Sequence, residues 1–85
     1  MIVRKSETFS GITLNAGSSV DKNTTIVPPA GYSLISDYFT VTGSGSNGII
    51  VNSNIGSISI YSAYGCSGAS VTHYMVFAKD DVVTV

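Results

Sequence analysis

The chain has 85 residues, a formal net charge of −1, 11% charged side chains and a single cysteine. No basic run is present to follow a phosphate backbone, no apolar stretch approaches the roughly 18 residues of a membrane helix, and one cysteine makes neither an intrachain disulfide nor a Cys/His metal cluster. One domain of this size buries only roughly 60–65% of its unfolded surface, so without a staple it points to association with other chains.

Residues 1–6 read as a short strand or a lead-in. The opening MIVRKSETFSG lacks the apolar core and small-residue cleavage site of a signal peptide, which implies synthesis in a cytoplasm. In residues 7–15 Phe9 lies on one parity and Ile12 and Leu14 on the other. A phase slip across Gly11 predicts a β-bulge. Residues 15–19 are a turn by composition. Residues 20–27 alternate weakly, which predicts an edge strand where Lys22 discourages pairing with another edge.

The stretch 27–42, VPPAGYSLISDYFTVT, is expected to hold the central strand. Proline donates nothing to a strand ladder, so Pro28 and Pro29 lie outside the pairing and set where the strand begins. Beyond them Ile35, Asp37, Phe39 and Val41 share one parity, and Leu34, Ser36, Tyr38 and Thr40 the other. A period of two means two distinguishable faces.

Residues 42–48, TGSGSNG, read as a flexible loop or wide hairpin. A short apolar strand, 49–51, ends at Asn52, and residues 52–56 turn. Residues 57–62 alternate with Ile58 and Ile60 inward. Residues 61–70, YSAYGCSGAS, carry so much Gly and Ser that an exposed loop is expected. Residues 71–78 are the last strong strand, with Val71, His73, Met75 and Phe77 on one face. A polar turn at 79–81 precedes a final strand or frayed end at 82–85.

No segment keeps helical periodicity over about ten residues. The expectation is one all-β domain, residues 1–85: an antiparallel, jelly-roll-like β-sandwich of about seven short strands.

Charge is scarce, 11% against about 25% in an ordinary soluble domain. Between Tyr38 and Ala78 there is none apart from His73, if it protonates. Either the strands there use hydroxyl residues on a wet face, or this half faces neighbouring subunits or a neutral ligand such as a glycan.

Glycoside hydrolysis calls for two carboxylates about the bond, and the candidates are Glu7, Asp21, Asp37, Asp80 and Asp81. Asp37 is expected to look outward. The alternative is a paired charge at a subunit seam, answered by Arg4, Lys5 or Lys22. Cys66 with His73 would need an orienting third residue and a deep pocket to act as a nucleophile. No enzyme, metal site or cofactor is expected. Tyrosine couples an apolar face to a polar tip, which suits a sugar ring or an interface. Tyr61 and Tyr64 flank the Gly/Ser loop, and with Asn52 and Asn54 they form the candidate ligand site.

The succession VPPAGY, SLISDYFTV, a Ser/Gly/Asn loop, ISIYS, a Gly/Ser loop and VTHYMVFAK resembles small β-sandwich domains in tail fibres, tail tips and receptor-binding proteins of tailed bacteriophages. The likeness spans roughly residues 7–79 and is most recognisable in the turn 29–32 and the closing strand 71–79. It implies a homotrimeric virion protein, without shared catalytic residues, that touches a host cell-surface saccharide or other virion proteins. A capsid decoration or fibre-assembly protein with only virion-protein partners is the alternative. Neither nucleic acid nor membrane insertion is expected.

Overall fold

The computed structural model describes residues 1–24, 27–44, 46–54 and 56–80. Among them the chain is all-β apart from one 3-10 turn at Ser46–Gly48. The strands are β1 (Ile2–Leu14), β2 (Ser18–Asn23), β3 (Tyr32–Ser44), β4 (Ile49–Asn54), β5 (Ser57–Ser62) and β6 (Cys66–Lys79). They form two antiparallel three-stranded sheets: sheet A in the order β1-β6-β3, and sheet B in the order β2-β5-β4.

β6 is the centre of sheet A, because its alternation is the sharpest in the chain. Val71, His73, Met75 and Phe77 are all at most 2% exposed, while Thr72, Tyr74, Val76 and Ala78 between them are half-buried on the opposite face. Both sides of β6 carry partners. The strand expected at the centre, β3, is instead an edge, hydrogen-bonded to β6 alone among the described residues. A strand with one wet side tolerates the exposure seen at Ile35 (59%) and Tyr38 (51%).

Six strands stand where about seven short ones were expected, since residues 2–6 and 7–14 run on as one strand of 13 residues. The last expected strand, residues 82–85, lies outside the described residues. At about 3.4 Å per residue β1, β3 and β6 extend some 45 Å, twice the reach of sheet B. The Gly/Ser stretch taken for a loop belongs largely to β6 from Cys66 onward. The close approach of β3 falls on Gly43, where a Cβ would stand 2.9 Å from the Ala69 Cα.

Other expectations hold. The register slips between Phe9 and Ile12, at Gly11, whose φ of 69° suits a residue without Cβ. β2 is an edge strand. β3 begins at Tyr32, whose N–H donates to the Pro29 carbonyl at 3.0 Å.

An irregularity in β3 was not expected. The β3–β6 register shifts between Leu34 and Ser36, so Ile35 is the extra residue. The bulge resets the phase of the strand. Leu34 lies opposite the buried Phe77 before it, and Asp37, Phe39 and Val41 share the inward face after it. Asp37, expected to look outward, therefore points between the sheets.

The two sheets pack on each other at the Leu14 end of sheet A. Ile12, Cys66, Ala69 and Val71 meet Ile58 and Ile60 of β5, with Phe9, Leu14, Val20, Phe39, Val41, Ile49 and Val51 around them. Burying a side chain of this class contributes about 1.5–3 kcal/mol.

Two glycines separate a rigid contact from a soft one. Gly43 has φ +109° and faces backbone atoms of β6, whereas a Cβ on Gly48 would meet the Cδ2 of Tyr64, a side chain 83% exposed and free to swing. Gly43→Ala is expected to lower unfolding stability by about 2 kcal/mol, and Gly48→Ala by less than about 1 kcal/mol. Urea titrations of the two variants check this ordering.

Candidate functional site

Two features stand out: a polar layer between the sheets, and a charge-poor exposed face on each. The layer forms where sheet B ends. His73 is 2% exposed, with Glu7 opposite it on β1 and Phe39 opposite it on β3. Its ring stacks on Phe39 with centroids 4.5 Å apart. Burying an imidazole without a partner is costly. Here Nε2 is hydrogen-bonded to Asp37 Oδ1. A carboxylate only accepts, so Nε2 carries the proton. The second oxygen, Oδ2, accepts from the Ser53 hydroxyl of β4 at 2.6 Å. One carboxylate thus joins β6, β3 and the facing sheet. His73 Nδ1 has no hydrogen-bond partner among the described residues.

A second tie lies beside the first. Thr24, just past β2, donates its hydroxyl to Glu7 at 2.6 Å and its N–H to the Gly56 carbonyl in the β4–β5 turn at 3.1 Å. The chain then rejoins sheet A at Tyr32, opposite Lys79.

These placements settle the carboxylate candidates. Asp37 is answered by His73 and Ser53, and none of Arg4, Lys5 or Lys22 forms an ion pair with it among the described residues. Glu7 and Asp37 flank His73, which fills the space between them. Asp21 is exposed on β2, Asp80 bonds Ser33 at the far end of sheet A, and Asp81 lies outside the described residues. Cys66 and His73 are seven positions apart on one strand, about 24 Å at strand rise. The Cys66 thiol contacts the Ile12 carbonyl at 3.5 Å.

Of the four candidate ligand residues, three come together. Pairing in sheet B puts Asn23, Ser57 and Asn54 in one row, Asp21, Ser59 and Asn52 in the next but one, and Ser19, Tyr61 and Ile50 beyond. The intervening residues Ile58, Ile60 and Ser62 are buried, so these rows share the outer face. Asn52, Asn54 and Tyr61 are exposed on it over about 14 Å of strand. Tyr61 is therefore a strand residue, not a loop residue. Tyr64 stands apart on the β5–β6 connection, its ring against Gly48 at the end of the sheet.

The outer face of sheet A was missed by the sequence reading. Tyr38 and Tyr74 lie opposite each other and stack, with centroids 4.8 Å apart at 15°. In the next row the hydroxyls of Thr8 and Thr72 share a hydrogen bond of 3.0 Å. The parity of Tyr74 was legible, but its meeting with Tyr38 depends on the pairing of β3 with β6.

Removing Asp37 separates both bonds it makes and leaves His73 buried without a partner. Asp37→Ala is expected to cost about 2–3 kcal/mol, below the figure for a fully buried pair because its side chain is 25% exposed. Ser53→Ala is expected to cost about 1 kcal/mol. Denaturant unfolding measures both, and equal costs for the two variants would contradict the tie.

The chain matches no protein-family model, no curated protein and no solved structure.

Proposed function

We propose that this domain is a virion adhesion module, the tip of a tail fibre or receptor-binding protein of a tailed bacteriophage, and that it holds a neutral host-surface saccharide on the outer face of sheet B. The packed pair of sheets is then a small, jelly-roll-like β-sandwich. The observation that carries the reading is the gathering of Asn52, Asn54 and Tyr61 on one exposed, regular face.

Sugar hydroxyls both donate and accept, and an asparagine amide does the same from one position. Ser57 and Ser59 add hydroxyls beside the amides of Asn54 and Asn52, and Ser19 adds one beside Tyr61. The Tyr61 ring offers an apolar surface to the C–H face of a pyranose. Asp21 is the single formal charge in these rows, in keeping with a ligand that is itself neutral. Placement on strands holds the groups at fixed spacing, as recognition of a rigid ring requires.

The stacked Tyr38–Tyr74 pair favours a second reading, in which the partners are other virion proteins and the module serves decoration or fibre assembly. The two separate cleanly. On an array of bacterial surface polysaccharides, Tyr61→Ala and Asn52→Ala are expected to weaken binding by about tenfold or more, with unfolding midpoints unchanged. Unaltered binding by both variants, or none by the folded parent domain, would favour the assembly reading.

A further inference from the structure

The two long edges of sheet A are complementary to each other. Among the described residues β1 and β3 are each hydrogen-bonded to β6 alone, so within them each presents an open ladder on its outer side. Long edges of this kind are ordinarily guarded, by charge, bulges or a covering segment. Here the guards are unequal. β1 carries Arg4, Lys5 and Glu7. β3 carries one charge in 13 residues, Asp37, and that carboxylate is already held by His73 and Ser53.

Rows across the sheet relate the two edges. Lys5 and Asp37 both pair with Met75, so they occupy the same row at opposite margins of one face. Two strand spacings, about 10 Å, keep them apart within one molecule. Lys5 is exposed and makes no ion pair among the described residues. Between Arg4 and Phe9 on β1, and between Ser36 and Val41 on β3, the register to β6 runs without a bulge over the same six rows.

We infer that the β3 edge takes the β1 edge of a second copy of this chain. Both strands run antiparallel to β6, so the contact between them is parallel. Continuing the rows from one copy to the next sets Lys5 of the second copy against Asp37, Thr8 against Thr40 and Phe9 against Val41. These are an opposite-charge pair, a hydroxyl pair and an apolar pair, all of them favourable across strands. Glu7 meets Phe39 with its carboxylate turned to Thr24. The two Asp37 oxygens retain lone pairs for a further donor.

The register is selective. A slip of one residue turns every inward side chain outward. A slip of two that brings Glu7 to Asp37 sets like charges together. Pairing of β3 with β3 leaves Lys5 unanswered, and pairing of β1 with β1 leaves the nearly uncharged β3 edge bare. Only the unlike contact covers both edges. Being head-to-tail, it repeats from copy to copy, closing into a ring or continuing as an array. It stands whether or not the face of sheet B binds a saccharide.

The test uses the full chain. Light scattering across a concentration series is expected to give a mass above the 8.8 kDa monomer. Lys5→Glu is expected to weaken association by about tenfold or more, and Lys5→Arg to preserve it. Thr8→Cys mixed with Thr40→Cys is expected to form a disulfide-linked pair on oxidation, and neither variant to link to itself. Circular dichroism verifies that each variant is folded. A monomer at every concentration, undiminished association of folded Lys5→Glu, no link in the mixture, or self-linking of either cysteine variant would each overturn the inference.

Discussion

The arrangement of this domain depends on one buried imidazole. His73 occupies a row of β6 that otherwise holds Val71, Met75 and Phe77, and all four are at most 2% exposed. A ring N–H left without an acceptor in such a place costs free energy comparable to several apolar contacts. Asp37 supplies the acceptor, and Ser53 satisfies its other oxygen from the facing sheet. The apolar core therefore ends at this level. Ile12, Val71, Ile58 and Ile60 lie on one side of the polar layer, and Met75 and Phe77 on the other. The Glu7–Thr24 bond closes the same level on the β1 side. A charge-poor chain has placed two of its few carboxylates on inward-facing positions, at the margins of the interior, where they tie the sheets together.

That placement explains why Asp37 was hard to read. Its shared parity with Phe39 is visible in the sequence. Its direction is not, because the bulge at Ile35 shifts phase without a glycine or proline to announce it. The bulge at Gly11 was legible for the opposite reason: the glycine stands where the apolar parity changes. All-β character and the inward residues of β5 and β6 followed from alternation. The centre of sheet A did not, since period two reports a face and says nothing of how many neighbours a strand has. Cys66 to Ser70 looked like a loop because Gly and Ser also mark turns; here they pair with β1 on one side and β3 on the other. Asn52, Asn54 and Tyr61 were identifiable by type, and only pairing through β5 put them on one surface.

The distribution of charge links the interior to the proposed roles. Glu7 and Asp37 face inward, so little formal charge remains on the exposed rows of sheet B or about the stacked tyrosines of sheet A. Amides, hydroxyls and aromatic rings recognise neutral, hydroxylated or apolar partners through contact and not through long-range attraction. A small domain is also marginal alone. The edges of sheet A offer it further backbone pairing, and Lys5 and Asp37 mark the row in which that pairing would register.

The tie between the sheets is tested most directly by the nitrogen-15 spectrum of the His73 ring. A proton on Nε2, protected from solvent exchange and close in space to the Asp37 side chain, is the expected result. A ring protonated at Nδ1 with a bare Nε2, or a proton exchanging freely with water, would contradict it.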